Sequence, residues 1–427
     1  MIPYKRVLVI SNNCFSQSNS NGRTLGNLFH GWPKENLAQM CVIAQDPNWE
    51  LCDNYFCIED KTMLKAFLSC KKANGYQVER KLTKGAENKS YTKRANLGKK
   101  TMSKMFLREV VWAFNRWNSK QFNQWIDRFN PDAVLFQFGD SVFMIKIAIA
   151  IAQSRNIPLI IYNTEGYYFF SDSWYHPSVF DYILFPPYKS FYRKWVKRLM
   201  GKACHSIYLN DELCRDYDFT FGKKSSVIYN SSSIAAGSPP TFDLNNLRVS
   251  YLGSLGHERD KALIQVGESL QKINTSYYVD IYGSANDEMK KRFEQASGVR
   301  FHGLVSYDQV MKITQESDIL LLVEPIENHN EHLKYGFSGK IADSITSGKC
   351  FVVYAPKDIS CARYIESTGS GWIADNKEEL YNVFCEIINN PIKRNKILTR
   401  AEEVAKENHN FEKNAHRFQE ILIKTIG

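Results

Sequence analysis

Arg248-Val-Ser-Tyr-Leu-Gly-Ser-Leu-Gly-His-Glu-Arg-Asp-Lys261 decides the reading of this chain. The run from Arg248 to Leu252 has the β-branched and aromatic character of a buried strand, Gly253 and Gly256 break it, and the pattern of a helix over 261–273 follows. Downstream the unit repeats. Strands are predicted over 277–282, 299–302, 319–323 and 350–354, and helices over 286–296, 307–316 and 340–347. Strands alternating with helices make a doubly wound α/β domain around a parallel sheet. From Lys377 to Thr425 the pattern reads as helices only.

Upstream of this unit, Ser231-Ser-Ser-Ile-Ala-Ala-Gly-Ser-Pro-Pro240 has the small residues and paired prolines of an interdomain linker. The first half opens on a strand, Arg6-Val-Leu-Val-Ile-Ser11, followed by a polar loop, Asn12 to Arg23, and a helix from Thr24. Its middle is hard to read, and Lys81 to Lys104 has the low apolar content of a mobile loop. The strand Pro131–Phe138, the helix Val142–Arg155 and the strand Ile157–Tyr162 then form a βαβ unit, which implies parallel pairing. The short apolar runs Tyr182–Phe185, Ser206–Leu209 and Val227–Tyr229 close this half. The expected division is an N-terminal domain over 1–235, a C-terminal domain over 236–405, and a terminal helix over 406–427 that packs back on the first domain.

The 427 residues suit two α/β domains. No apolar run approaches the roughly 20 residues of a membrane span. Four apolar residues after Lys5 and Arg6 are too few for a secretory signal, so a cytoplasmic address is expected. Ten scattered cysteines without a C-x-x-C, several in apolar stretches such as those around Cys41, Cys204 and Cys350, read as free buried thiols. The net charge of +10 is uneven: Lys71 to Arg108 holds twelve Lys or Arg against two acidic residues. A second basic stretch, Lys189 to Lys202, interleaves Phe191, Tyr192, Trp195 and Val196 with its cations. That mixture suits an anionic membrane surface, with the protein peripheral at the inner face; the alternative is a solvated helix face. Nucleic acid is not an expected partner.

Ligands of open parallel sheets bind beyond the carboxyl ends of the strands. In the second half those positions hold Gly253 and Ser254 with Arg259, then Gly283, then Gly303, then Glu324. Past them lies Tyr335-Gly-Phe-Ser-Gly-Lys-Ile-Ala-Asp-Ser-Ile-Thr-Ser-Gly-Lys-Cys350. Glycines let a backbone approach a ligand, helix N-termini attract anions, and Arg259 and Lys340 can neutralise phosphate. Asp343, three residues after Lys340, can accept ribose hydroxyls. The set suits a nucleotide diphosphate. No P-loop, no G-x-G-x-x-G and no G-x-S-x-G is present. His329 and His332, with Glu327 and Glu331, lack the H-E-x-x-H spacing, so no metal is expected.

In that order, these residues resemble the donor half of the GT-B glycosyltransferases, above all the retaining, metal-independent group 1 (GT4) enzymes of bacterial capsule, exopolysaccharide and O-antigen assembly. The resemblance implies two Rossmann-like doubly wound domains facing a central cleft. It implies a UDP- or GDP-sugar donor, a glycan or lipid-linked acceptor, no cofactor, and sugar transfer without a metal. It assigns donor contacts to Gly253, Ser254, Arg259, Gly283, Gly303, Ser338, Lys340, Ile341 and Asp343. In the first half Gly22 and Arg23 fall where the family has a glycine-bearing loop after its first strand. Glu165 falls where many members carry a His near the donor sugar. The family's E-x7-E is altered: Tyr335 stands at the first Glu and Asp343 at the second, so the catalytic expectation rests on Glu165 and Glu324. Two alternatives stay open: a nucleotide-sugar epimerase or hydrolase on the same fold, and a non-catalytic binding subunit.

Overall fold

A computed structural model describes residues 4–80, 101–173, 180–234, 237, 239, 240, 242–327 and 331–427. The chain forms two units, Met1–Ile228 with Ala415–Gly427, and Tyr229–Asn414. The expected loop over Lys81–Lys104 falls mostly on 81–100, outside the described residues, as do part of the Ser231–Pro240 linker and His329.

In the first unit β1 (Val7–Asn13) is followed by α1 (Ser20–Asn27), β2 (Leu37–Ile43), β3 (Tyr55–Cys57), α2 (Asp60–Leu68), β4 (Tyr76–Gln77), α3 (Met102–Ala113) and α4 (Lys120–Phe129). Next come β5 (Ala133–Phe138), α5 (Val142–Arg155), β6 (Leu159–Asn163), α6 (Asp181–Lys202), β7 (His205–Tyr208), α7 (Asp211–Phe221) and β8 (Ser226–Val227). The strand order is β4-β3-β2-β1-β5-β6-β7-β8. Every neighbouring pair is parallel except β3 with β4. Val7 to Ile10 of β1 are fully buried, as a central parallel strand with both faces covered requires. The direction of winding switches between β1 and β5.

Several expectations change here. The helix after β1 starts at Ser20 rather than Thr24, because the Asn19 side chain caps it by accepting from the Gly22 N–H. Gly22 and Arg23 therefore lie in a helix turn, not in a loop. The run Tyr182–Phe185 is helical, in the first turns of α6. Tyr182 and Ile183 are exposed, so this run has no face to bury in a sheet, and Pro186 and Pro187 interrupt the helix's hydrogen-bond ladder in its second turn, at the carbonyls of these two exposed residues. In the same helix Tyr192 and Val196 are fully buried, which leaves Phe191 and Trp195 as the aromatic surface of the basic stretch. Of the ten free cysteines, Cys41 and Cys350 are buried, but Cys204 is exposed at the turn into β7.

The second unit is regular. It runs β9 (Arg248–Leu252), α8 (Arg259–Ile273), β10 (Tyr278–Tyr282), α9 (Asp287–Gln295), β11 (Val299–Gly303), α10 (Tyr307–Glu316), β12 (Ile319–Val323), α11 (Gly339–Thr346), β13 (Cys350–Tyr354), α12 (Ser360–Thr368) and β14 (Trp372–Ala374). Helices α13 (Lys377–Asn389), α14 (Pro391–Asn408) and α15 (Phe411–Ile426) follow. Six parallel strands are ordered β11-β10-β9-β12-β13-β14, so the switch falls between β9 and β12. Asn286, Ser306 and Asn376 cap α9, α10 and α13 through their side chains. From Ala415 onward α15 belongs to the first unit. There Phe418 is fully buried, its ring 5.1 Å from that of Phe29 and 5.8 Å from that of Trp32.

Candidate functional site

The switch between β9 and β12 gathers charged side chains. The chain leaves β9 through Gly253, whose φ of 155° a side-chain-bearing residue rarely adopts. It then passes His257 and Glu258, both left-handed, before α8 begins at Arg259. Arg259 reaches the end of β12, where its Nε and Nη2 donate to Oε2 and Oε1 of Glu324, each at 2.9 Å. Both side chains are largely buried, at 16% and 11% exposure, so this forked pair is a fixed element rather than a surface bridge. Glu324 is itself held by its N–H, which donates to the Tyr354 carbonyl beyond the end of the β12–β13 ladder.

Lys340 enters from α11. The Ser338 hydroxyl caps this helix by accepting from the Lys340 N–H, and Ile341, fully buried, anchors its first turn. The Lys340 Nζ lies 4.3 Å from the centre of the Tyr251 ring, a cation–π distance. It also lies against Gly253: a Cβ there would come within 1.9 Å of the Nζ. Burial, reinforced by the Arg259 guanidinium, pulls the Lys340 amine down to about 7. One carboxylate, Glu324, thus serves two cations, and Arg259 holds both of its oxygens.

Three glycines form a row across the strand ends. The Gly253 N–H donates to the Tyr282 carbonyl and the Gly283 N–H to the Gly303 carbonyl, both at 2.8 Å. A Cβ on Gly283 would stand 2.2 Å from the Gly253 carbonyl oxygen, so only glycine permits this approach. Gly303 has φ of 80° and open space where a side chain would be. Ser254 caps the turn, its carbonyl accepting from the Tyr251 hydroxyl at 2.5 Å. Asp343 lies one turn beyond Lys340, and its Oδ1 accepts from the Ser232 hydroxyl at 2.8 Å. Arg259 is thus paired with Glu324 and Lys340 lies against Gly253, close enough to both charges to feel them, with Gly283 and Gly303 along the same edge. Ile341 serves packing, and Asp343 meets the start of the unit.

No protein-family model matches the chain, and no curated protein matches its sequence. Solved structures do match its shape. HepE from Anabaena, in complex with UDP, is 12% identical, with a TM-score of 0.63 over 98% of this chain and 100% of that one. Sucrose-phosphate synthase from Thermosynechococcus elongatus is 10% identical, with a TM-score of 0.60 over 98% of each chain. A glycosyltransferase from Rickettsia africae is 11% identical, with a TM-score of 0.59 over 99% of each.

The fold is GT-B.

In the N-terminal unit of this GT-B chain the sequence-selected residues lie near the ends of β1 and β6. Gly22 is packed where a Cβ would meet the Cys14 carbonyl oxygen at 2.4 Å, so it serves the approach of α1 to the loop after β1. Arg23 is half-buried beside it. Glu165 stands two residues past β6, and its N–H donates to the Asn163 Oδ1 at 3.1 Å. Burial, together with Asp140, pushes the Glu165 carboxyl up to about 7. The register Phe138↔Asn163 puts Asp140 and Glu165 at matching positions past two adjacent strands.

Sequence reasoning missed Tyr251, Asp140, Asn163 and Glu109. Glu109, on α3, is buried, and its two oxygens accept from the Val142 and Phe143 N–H groups at 2.6 and 3.0 Å. It is a carboxylate supplied by the chain to the N-terminus of α5, and burial pushes it up to about 7. Nothing in its local sequence marks it, since it lies in an ordinary amphipathic helix. Tyr251 was legible only as an apolar strand residue.

Proposed function

We propose that this chain is a glycosyltransferase that takes its sugar from a nucleotide-diphosphate donor bound at the β9–β12 switch of the second unit. The observation that carries the reading is the Arg259–Glu324–Lys340 cluster behind a row of glycines at a strand edge that favours ligands. A diphosphate there would meet the Arg259 guanidinium, the Lys340 amine and the backbone N–H groups of the glycine-bearing loops. As the bond to the sugar breaks, negative charge grows on the departing phosphate, and two protein cations stabilise it in the role a metal fills elsewhere. Glu324 holds Arg259 in the geometry required. Asp343 and Ser338 are suited to the ribose and phosphate hydroxyl side of the donor. Glu165, its carboxyl raised to about 7 by burial and Asp140, is suited to hydrogen-bond sugar hydroxyls. The complexes of HepE with UDP, with UDP and glucose, and with UDP-glucose support a uridine nucleotide as first choice.

The finer parts of the proposal follow the family resemblance: a retaining, metal-independent, GT4-like transfer to a glycan or lipid-linked acceptor in surface-polysaccharide assembly. The protein would then work in the cytoplasm, peripheral at an anionic membrane surface. Among the described residues no helix is long and apolar enough to cross a membrane.

Calorimetric titration with UDP and GDP tests the donor site. Wild-type protein is expected to bind one of them, and Lys340→Ala to weaken it by about 1.5–3 kcal/mol, the range of a charged hydrogen bond. Release of nucleotide diphosphate from UDP-glucose in the presence of EDTA tests the chemistry. Absence of any nucleotide binding, or equal affinity in the variant, removes the cluster from the reaction.

A further inference from the structure

Helices α2 and α3 pack against each other in the first unit and turn apolar residues outward. On α2, Leu64 and Leu68 are one turn apart and both exposed, Leu68 at 73%. On α3, Leu107, Val110 and Phe114 follow at three- and four-residue spacing, with Phe114 at the C-cap and 57% exposed. Phe106 is exposed beside Leu107. The Phe67 and Phe114 rings lie 5.4 Å apart, which joins the two stripes at the carboxyl ends of both helices. A single exposed leucine is ordinary on a protein surface, but a group of leucines and phenylalanines on adjacent helices marks an interaction surface.

Cations surround that end. Lys61 and Lys65 share the outward side of α2 with the two leucines. The segment after α2 is tied to the segment after α3: the Ala73 N–H donates to the Arg116 carbonyl at 2.9 Å, the Lys72 Nζ to the Asn115 carbonyl at 3.0 Å, and the Arg116 Nη1 to the Lys71 carbonyl at 3.3 Å. Lys71, Lys72 and Arg116 are thereby held beside Phe114, and the Arg116 guanidinium lies 5.9 Å from its ring. The carboxylates of the two helices are engaged elsewhere. Asp60, the first residue of α2, accepts from the Arg108 Nε at 2.9 Å and the Trp112 Nε1 at 2.8 Å. By helix rise it stands about 12 Å from Leu68. Glu109 is buried against the N-terminus of α5. The α6 stretch differs: its Phe191 and Trp195 rings lie 5.0 and 4.9 Å from the Lys146 Nζ of α5, so that aromatic surface takes a cation from within its own unit.

We propose that the α2–α3 face around Leu64, Leu68 and Phe114 is the surface on which the chain rests against an anionic lipid bilayer. This deepens the peripheral-membrane reading above and rests on it. Leucine and phenylalanine enter the boundary between headgroups and acyl chains, while lysine stems run along the apolar surface and carry their ammonium groups back to the lipid phosphates. The choice of cation favours lipid over a protein partner. Protein interfaces are depleted in lysine and enriched in arginine, whereas Lys61, Lys65, Lys71 and Lys72 outnumber Arg116 here.

The test is co-sedimentation of the full chain with phosphatidylcholine vesicles, with and without phosphatidylglycerol. Binding is expected to the anionic vesicles, roughly tenfold or more weaker to phosphatidylcholine alone, and falling with added salt. Leu68→Ser/Phe114→Ser and Lys65→Gln/Lys71→Gln/Lys72→Gln should each weaken it by roughly tenfold or more. Lys194→Gln/Lys197→Gln/Lys202→Gln removes the same charge from α6 and should change it less than about threefold. A circular-dichroism melting curve close to wild type shows that each variant is folded. Failure of the wild-type chain to sediment overturns both this surface and the peripheral reading. Equal loss in the two lysine variants, or wild-type binding by Leu68→Ser/Phe114→Ser, means diffuse adsorption: the peripheral reading stands and this surface falls. A dimer in analytical ultracentrifugation that Leu68→Ser/Phe114→Ser dissolves, in a chain that ignores vesicles, assigns the face to a second copy and likewise overturns the proposal. No arm contains a nucleotide, so the donor site is judged independently.

Discussion

The two units use the same device, a helix beginning just past a strand at the point where a parallel sheet reverses its winding, and they finish it with opposite charge. In the second unit the β9–β12 switch is lined by Arg259, paired with the Glu324 carboxylate, and by Lys340, stacked over Tyr251. In the first, the helix after β5 has its N-terminus occupied by Glu109, whose oxygens take the two N–H groups an incoming anion would need. Asp140 and Glu165 add further carboxyls along that edge. The shared topology supplies a ligand position in both halves; the side chains decide that only one suits a phosphate there.

The comparison breaks hardest at Arg259. Arg259→Ala leaves Glu324 buried and unpaired, and should cost about 3–5 kcal/mol in urea unfolding besides abolishing UDP binding. An unfolding midpoint close to wild type would mean the pair is not the fixed element described. Glu109→Ala comes next. Two buried N–H groups lose their acceptor, for an expected loss of about 2–4 kcal/mol, with UDP affinity unchanged. If that variant instead gains stability in phosphate buffer, the α5 terminus is a latent anion site and the two units are less different than they look.

The smallest effect sharpens the contrast through pH. Lys340 has a native value near 7 against an ordinary 10.5, so a bound diphosphate must recharge it above neutrality. UDP affinity should therefore fall as pH rises above about 7, by at most tenfold per unit. The same residue makes the unfolded chain bind more protons between 7 and 10.5, so its contribution to stability rises with pH there. Glu165 and Glu109 act with the opposite sign. Their native carboxyls near 7 keep protons that the unfolded chain releases from 4.5 upward, so their contribution is complete below 4.5 and is lost as pH rises through 7. A pH-independent UDP affinity would show that Lys340 is already charged in the free protein.

The second unit was legible because short strands rich in β-branched and aromatic residues alternate with capped helices. Ile319–Val323 contains no polar residue, and every residue in it is buried. In the first unit β1, β5 and β6 were legible as apolar runs, but β2, β3 and β4 were not. β2 carries Gln39 at its centre, fully buried, its amide bonded to the Ser11 hydroxyl and the Phe15 N–H. A paired polar group inside a core costs little once satisfied, but it disguises the apolar run. β14 is only three residues long, and α3 begins inside a basic stretch, so neither offers a periodic signal. Candidate donor residues could be chosen one by one from strand ends. Their partners could not: the union of Arg259 with Glu324 spans a chain separation that only the strand order explains.

Residues 415–427 have a consequence for the order of events during synthesis. Phe418 and Leu422 complete the core that Phe29 and Trp32 begin, yet the whole second unit is translated between them. At about 5–20 residues per second, the first unit waits on the order of tens of seconds with that apolar pocket open. The second unit, continuous in sequence, has all of its own residues before the first has received its last. The half encoded first is therefore the half finished last, and until residues 415–427 emerge its unfilled core is the surface a chaperone would meet.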